Sequence, residues 1–215
     1  SIDATSMVLN GLVNTRILAI CRDLDIDAVG ISGVDAGLVR AHRRPPVTMS
    51  DGETVDFGFV GDIDAVDPTV IRKLLDNGLM PVISPLSADS HGTLLNINAD
   101  TVAAAIGAAL SAEKLILCTG APGILERVED PSSVISYTDL RGLKKMREDG
   151  SIVDGMLPKA KAIEDAIRGG VRRVHVISYQ APEGILTEVF TNEGTGTLVV
   201  ADVNALTPAE QNASS

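Results

Sequence analysis

The feature that most limits the folds open to this chain is the alternation of short apolar runs with longer helical segments. Runs rich in Val, Ile and Leu, bounded by Gly, Pro or Asp, are typical of buried strands. Strands that alternate with helices form a mostly parallel sheet covered on both faces. The sequence therefore predicts the α/β class, as a three-layer αβα sandwich with a mainly parallel central sheet. The predicted buried strands are residues 28–33, 79–86, 114–119, 171–178 and 196–200.

Helices are predicted where apolar residues recur at helical spacing or where start and stop residues frame a segment. Pro68 and Gly78, for example, are typical start and stop signals for a helix over residues 68–77. Residues 55–60 alternate as a strand, and residues 61–67 are predicted to connect it to that helix. Residues 201–215 are polar without a pattern and predict a disordered tail. The other predicted helices are residues 3–25, 101–110, 137–148, 159–168 and 182–190.

Composition restricts the partners and the compartment. The 215 residues include 29 Asp and Glu against 18 Lys and Arg, which gives a net charge of −11. Because nucleic acids and anionic membranes attract clustered Lys and Arg, this balance predicts neither as a partner. We expect no apolar run of transmembrane length and no signal peptide, and Cys21 and Cys118 lie far apart in apolar segments. We therefore expect a soluble, cytoplasmic protein with reduced thiols.

Three polar residues follow an apolar run at alternate positions: Asn96, Asn98 and Asp100. On an extended backbone these side chains would share one face at the mouth of a strand. Asp100 also stands where the N-cap of the next helix is expected, and a carboxylate is stabilised there. The residue pattern leaves two interpretations open, a ligand site or a simple helix cap with turn-forming asparagines.

Lys159 follows a glycine-containing loop at a predicted helix start, where a lysine can reach a phosphate beside free N–H groups. The alternative is a solvated surface lysine, which is the interpretation we favour for Lys161. The sequence contains no Walker A or GxGxxG motif, no GxSxG elbow and no metal-ligand spacing among its three histidines. It therefore predicts no P-loop, Rossmann, serine hydrolase or metal site.

Four blocks occur in order along most of the chain: NINADTVAAAIGAAL, KLILCTGAPGIL, DGMLPKAKAIEDAIRGGVRRVHVI and FTNEGTGTLV. Together they resemble the amino acid kinase superfamily and, within it, the acetylglutamate kinases. The resemblance implies ATP-dependent phosphorylation of the γ-carboxylate of N-acetyl-L-glutamate, a step of arginine biosynthesis. Such a transfer needs positioning and charge neutralisation but no base, because the carboxylate nucleophile is already ionised.

The same resemblance assigns roles to individual residues. Asn96 and Asn98 would bind the amino-acid substrate, and Asp100 would hold the catalytic lysines in register. Lys159 would neutralise charge on the transferred phosphoryl group of ATP, which would be bound with Mg²⁺. The residues that would line the nucleotide are Thr119, Gly123, Gly155 and Met156.

The resemblance also predicts organisation. Residues 1–92 would belong to the amino-acid-substrate lobe and residues 93–200 to the nucleotide-binding lobe. Members of the superfamily open with a strand and a glycine-rich loop carrying a lysine, and the resemblance places that opening before Ser1. We expect residues 1–215 alone to fold poorly and to lack kinase activity, and the full-length protein to be active.

Assembly and regulation follow from the same source. The resemblance implies at least a homodimer, formed through the substrate lobe. It also implies that Glu193 and Gly194 contribute to an arginine effector site, where a carboxylate would pair with the guanidinium. Two alternatives stay open: a kinase of a related carboxylate such as aminoadipate, and a non-catalytic homologue that binds ligands.

Overall fold

A computed structural model describes residues 1–49, 52–152, 155–191 and 194–205. The chain divides into two compact units, Ser1–Ala109 and Leu110–Ser215. The sequence places the boundary between lobes earlier, after residue 92. The difference arises because the strand Leu94–Asn96 pairs with Leu86–Ala88 and so belongs to a sheet of the first unit. Of the predicted disordered tail, residues 201–215, the segment Val203–Ala205 forms a short 3₁₀ helix, and residues 206–215 lie outside the described residues.

The first unit contains three sheets among its described residues. One is the parallel pair β1 (Ala28–Ser32) and β6 (Met80–Ser84), and a small antiparallel pair joins β3 (Val47–Thr48) to β4 (Thr54–Val55). The third has the order β5-β2-β7-β8, in which β2 and β7 are parallel and the outer pairs are antiparallel. Its strands are β2 (Val39–Arg43), β5 (Gly61–Val66), β7 (Leu86–Ala88) and β8 (Leu94–Asn96).

The helix predicted over residues 3–25 is present, but it changes its winding in the middle. It consists of α1 (Ile2–Ser6), a π-helical segment (Met7–Asn14) and α2 (Thr15–Asp23). By length and hydropathy alone, the stretch Ile2–Asp23 is long and apolar enough to cross a membrane, as core helices of soluble proteins and signal sequences can also be, and 11% of its most apolar window is buried. The other helices of this unit are α3 (Thr69–Asp76) and α4 (Ala99–Leu110).

The second unit is built on one four-stranded sheet with the order β10-β12-β11-β9. Its strands are β9 (Lys114–Thr119), β10 (Tyr137–Asp139), β11 (Arg173–Ser178) and β12 (Thr197–Val200). The β12 strand is parallel to β10 and antiparallel to β11, and β11 is parallel to β9. The helices are α5 (Leu140–Glu148), α6 (Met156–Arg168) and α7 (Gly184–Phe190).

Burial along β11 shows how the sheet of the second unit is covered. Val176 and Ile177 are neighbours in the strand and are both fully buried. Because successive strand residues point to opposite faces, both faces of this sheet are covered. The α/β class predicted from the sequence is confirmed. The described strands form separate sheets in the two units, and each four-stranded sheet contains both parallel and antiparallel pairs.

One predicted element is wrong, and one helix begins later than predicted. Residues 55–60 are predicted as a strand, but Gly58 has φ +68 and interrupts the extended backbone, while Phe57 and Phe59 are exposed. The strand is instead β5, which was expected to be a connector and which pairs with β2. The helix predicted from residue 137 begins at Leu140, because the Asp139 carboxylate caps it by accepting the Gly142 N–H at 2.9 Å.

Candidate active site

The segment with Asn96, Asn98 and Asp100 begins at the last residue of β8, Asn96, where the main chain forms hydrogen bonds to two other segments. The Asn96 N–H donates to the Phe59 carbonyl at 2.8 Å, and the Ile97 N–H donates to the Pro85 carbonyl at 3.0 Å. The Ile97 side chain is 3% exposed and anchors the backbone. The half-buried Asn96 carboxamide has no hydrogen bond to any described residue. A ligand can therefore use both its donor and its acceptor.

The two residues that follow Asn96 at alternate positions differ from the prediction. Helix α4 begins at Ala99, and its first turn is capped by Asn98, whose Oδ1 accepts the Thr101 N–H at 3.1 Å. Asp100 lies inside the first turn and is not the N-cap. The extended alternation therefore stops before Asp100, and the shared strand face predicted for the three residues is wrong. Asp100 remains half-buried near the positive end of the helix dipole.

A cavity of the first unit lies elsewhere. It is a surface cleft of about 560 Å³ beside the Gly33 turn, and its lining does not include Asn96, Asn98 or Asp100. Two carboxylates at its rim already have partners. Asp64 binds the His42 Nδ1 at 2.7 Å, and Asp89 accepts N–H groups of its own turn. We therefore do not assign the predicted substrate residues to this cleft.

In the second unit, Thr119 is the last residue of β9, and Gly123 lies in the turn that follows. The Thr119 carbonyl accepts the Tyr179 N–H at 2.9 Å, which joins the ends of β9 and β11. Gly123 is buried, and a Cβ there would lie 2.8 Å from the Thr197 Oγ1 and 2.9 Å from the Val134 Cγ1. This close packing requires glycine at residue 123.

A cavity of about 150 Å³ brings two of the predicted nucleotide residues together. Gly123 and Met156 both line it, whereas Thr119 and Gly155 do not. The other lining residues are mostly apolar, namely Ala121, Ile124, Leu125, Val128, Ser151 and Ile152. An apolar slot bounded by the main chain of a turn suits a flat heteroaromatic group.

Lys159 lies on α6, which begins at Met156, three residues before the predicted start. Pro158 does not prevent this start, because proline is tolerated in the first turn of a helix. Lys159 is 9% exposed, whereas Lys161 is exposed and pairs with Asp165. The two lysines therefore differ in burial, and Lys161 is on the surface, as predicted. A buried lysine is uncommon and is typical of a functional ammonium group.

One buried polar cluster was not recognised from the sequence. The His175 Nδ1 on β11 lies 2.6 Å from the Glu188 Oε1 on α7, and the Glu188 Oε2 accepts the Thr195 N–H at 2.6 Å. Both side chains of the pair are under 10% exposed. The His175 Nε2 is buried without a partner among the described residues. The 13-residue separation matches no local motif, so only the fold reveals the pair.

The electrostatics of Glu188 reflect two opposing effects. Burial favours the neutral acid and by itself raises the pKa of Glu188. Hydrogen bonds from His175 and from the N–H groups of Thr195 and Gly196 favour the carboxylate, and together they bring the pKa below its ordinary value. Glu188 is therefore ionised at neutral pH and ties the start of β12 to α7 and β11.

The residues predicted for an arginine effector lie next to this cluster in the sequence. Glu193 lies outside the described residues. Gly194 has φ +40, and a Cβ there would lie 3.4 Å from the Glu188 Oε2. The effector role of both residues stays a prediction.

A family match and the curated relatives both point to the amino acid kinases. Residues 1–178 match the amino acid kinase family. The chain is 48% identical over 213 residues to the acetylglutamate kinase of Myxococcus xanthus, covering 97% of this chain and 69% of that relative. It is 45% identical over 202 residues to that of Archaeoglobus fulgidus, covering 93% and 69%. The chloroplastic acetylglutamate kinase of Arabidopsis thaliana is 42% identical over 199 residues, covering 93% and 55%.

Solved structures agree on the fold. The crystal structure of smu.665 from Streptococcus mutans is 27% identical with a TM-score of 0.72, covering 92% of this chain and 70% of that one. An N-acetylglutamate synthase from Neisseria gonorrhoeae, complexed with coenzyme A and N-acetyl-glutamate, has a TM-score of 0.78 at 24% identity. That match covers 93% of this chain and 44% of the synthase, and it shows the fold alone.

The Glu188 cluster leads to a pH-dependent stability test. We expect Glu188→Gln to lower the free energy of unfolding by roughly 1–3 kcal/mol at neutral pH, because the Gln amide has one acceptor oxygen and cannot accept from both the Thr195 N–H and the His175 Nδ1. The contribution of Glu188 is complete above the ordinary glutamate pKa of 4.5 and is lost as the pH falls through its lowered pKa. Urea unfolding at several pH values should therefore show the variant and the wild type converging in acid.

The matched control is Glu148→Gln, because Glu148 is exposed and forms an ion pair with Lys144 on the same helix. It should change the stability by less than about 0.5 kcal/mol. Equal effects of the two substitutions at neutral pH would show that the buried hydrogen bonds of Glu188 contribute nothing.

Proposed function

The chain belongs to the amino acid kinase family, and we propose that it acts as an acetylglutamate kinase that transfers the γ-phosphoryl group of ATP to N-acetyl-L-glutamate. The observation that carries this proposal is its 48% identity, over 97% of its length, with a relative of that name. Burial of Lys159, the residue assigned to the phosphoryl group, supports it independently. The product would be an acyl phosphate on the γ-carboxylate.

Substrate recognition is assigned to the first unit. We propose that the Asn96 carboxamide hydrogen-bonds the amino-acid end of acetylglutamate, with Asn98 nearby in sequence as a second contact. The backbone hydrogen bonds at Asn96 and Ile97 support this role, because they fix the main chain that carries the carboxamide before the ligand arrives. Asn98 also caps α4, so its loss would disturb the helix start as well as the substrate.

Charge neutralisation is assigned to Lys159. During in-line transfer, negative charge is spread over the oxygens of the phosphoryl group, and a fixed ammonium stabilises it. Such a charge acts more strongly in a water-poor environment than in bulk water, and Lys159 is 9% exposed. We propose that Asp100 keeps the catalytic lysines in register. We also propose that ATP binds as its Mg²⁺ complex, since the ion shields the phosphates from one another.

Nucleotide binding is assigned to the second unit. We propose that the adenine end of ATP occupies the apolar cavity at Gly123 and Met156, while Thr119 and Gly155 contact the nucleotide outside it. The lining supports this assignment, because Gly123 and Met156 bound a mostly apolar cavity together.

Assembly and location are further parts of the proposal. We propose a homodimer formed through the first helical stretch, where large apolar side chains face solvent, among them Met7, Val8, Leu12, Ile17 and Ile20. Apolar patches of this kind mark interaction surfaces. We also propose that the protein works in the cytoplasm and that arginine acts as an effector through the segment containing Glu193 and Gly194.

The role of Lys159 is tested against its neighbour on the same helix. In the full-length protein, we expect Lys159→Ala to lower kcat by at least about 100-fold with little change in the KM for acetylglutamate, because its charge matters most in the transition state. Lys161→Ala should retain wild-type turnover. The assay traps the acyl phosphate as a hydroxamate after incubation with ATP and acetylglutamate.

The same assay separates the alternatives. Hydroxamate formed with aminoadipate but not with acetylglutamate would indicate a kinase of a related carboxylate. A folded full-length protein that binds acetylglutamate without turnover would indicate a non-catalytic homologue. Equal activity of the two lysine variants would remove the role assigned to Lys159.

The role of Asn96 is tested by substrate affinity. We expect Asn96→Ala to raise the KM for acetylglutamate by roughly 10-fold, equivalent to one lost hydrogen bond to a charged ligand, and to leave the KM for ATP unchanged. Asn77→Ala is the control, because Asn77 is exposed at the end of α3 and its carboxamide donates to the Lys73 carbonyl of the same helix. An unchanged KM for acetylglutamate in Asn96→Ala would contradict the assignment.

The homodimer is tested by placing a charge on the helix. We expect Ile20→Glu to convert a dimer into a monomer in sedimentation experiments, since an unpaired carboxylate at an interface is strongly unfavourable. Leu75→Glu on α3 should leave the dimer intact, although Leu75 is also half-exposed. A wild-type protein that is monomeric at all concentrations would exclude this assembly.

A further inference from the structure

A buried threonine outside the predicted site holds the turn that bounds the proposed nucleotide cavity. Thr197, the first residue of β12, is fully buried, and its Oγ1 accepts the Ile124 N–H at 2.8 Å. Gly123 and Ile124 line the cavity, whereas Thr197 does not. Thr197 therefore touches the turn and not the ligand space.

The hydrogen bond from the Ile124 N–H requires a side chain with an acceptor atom at residue 197. The Ile124 N–H is directed into the core, because Ile124 is 1% exposed, and an unpaired N–H there would be costly. The Ile124 carbonyl is already engaged, since it accepts the Ile135 N–H at 2.9 Å. The Thr197 hydroxyl thus gives the buried Ile124 N–H a partner, and without it the turn would have to move for this N–H to reach water.

The same hydroxyl also limits what the turn can contain. A Cβ at Gly123 would lie 2.8 Å from the Thr197 Oγ1 and 3.3 Å from the Thr197 N. The turn is therefore packed directly against the start of β12. Both the hydrogen bond and the close approach fix the distance between the turn and the sheet.

Thr197 is itself rigidly placed. Its backbone pairs with Val176 in the centre of the sheet. A Cβ at the preceding Gly196 would lie 2.1 Å from the Val176 carbonyl oxygen, so β12 enters the sheet without room to shift. Two residues earlier, the Thr195 N–H is held by Glu188. Thr197, which holds the Gly123–Ile124 turn, therefore lies at the start of a strand whose position is fixed by the pairing with Val176 and by the bond from Thr195 to Glu188.

We infer that Thr197 is a positioning residue for nucleotide binding: its hydroxyl sets the Gly123–Ile124 turn at the position that shapes the cavity for the base of ATP. This inference rests on the proposed function, because it takes the cavity to be the nucleotide site. It assigns Thr197 no contact with the substrate. Loss of the Thr197 hydroxyl should lower the affinity for nucleotide and leave the affinity for the amino-acid substrate unchanged.

The test compares side chains of similar size at one position. In the full-length protein, Thr197→Val should raise the KM for ATP and the Kd for ADP by about 10-fold, the effect of one lost buried hydrogen bond. The KM for acetylglutamate should stay unchanged. Thr197→Ser keeps the hydroxyl and should restore the wild-type values, and Thr197→Cys, a weak acceptor, should fall between.

A second variant separates positioning from general instability. Val199→Ala shortens a fully buried side chain on the same strand, so it should lower the melting temperature without changing the KM for ATP. The inference is overturned if Val199→Ala raises the KM for ATP as much as Thr197→Val does, or if Thr197→Ser fails to rescue. Comparing Thr197→Ser with Thr197→Cys keeps the test decisive even if Thr197→Val does not fold.

The outcomes also distinguish this inference from the proposed function. If the wild type phosphorylates acetylglutamate and Thr197→Val binds ADP with wild-type affinity, only the role of Thr197 falls. If the folded wild-type protein binds no adenine nucleotide, the proposed function and the role of Thr197 fall together.

Discussion

The parallel register of β9 and β11 determines which groups meet in the second unit. Six residue pairs join the two strands, from Lys114 with Arg173 to Thr119 with Ser178. Because parallel strands end at the same edge of a sheet, the turns that follow them start side by side. The antiparallel β12 begins at this same edge, with Thr197 opposite Val176. The Gly123 turn follows β9, His175 of the Glu188 cluster lies on β11, and β12 begins beside β11, so all three depend on where these two strands lie.

Lys159 and Lys161 show how helix geometry gives two similar residues different chemistry. Residues two apart on a helix point about 200° apart, so they cannot share a face. Lys159 lies on the side of Ala162, Ile163 and Ala166, which are all buried. Lys161 lies one turn from Asp165 on the exposed side and pairs with it. The apolar spacing already present in KAKAIEDAI is enough to predict which lysine is buried.

Much of the fold was predictable because its signals are local. The limits of β9 and the body of α4 follow from continuous apolar or small-residue runs and from nearby caps. β5 was missed because its alternation is weaker than that of the preceding Phe57-Gly58-Phe59 segment, and only the φ of Gly58 breaks that segment. Contacts between distant residues leave no such signal. The bond from Ile124 to Thr197 spans 73 residues, and the sequence on either side does not indicate it.

The place of β12 in the sheet has a consequence for how the second unit is made. β12 comes last of its four strands in the chain, yet it lies between β10 and β11. During synthesis on the ribosome, β10 has no neighbour in the sheet until residues 197–200 have emerged. The nascent unit must therefore hold an unpaired strand edge through some 60 residues of translation, a state that favours intermolecular pairing. Chaperone occupancy on the nascent chain should thus be highest just before β12 is completed.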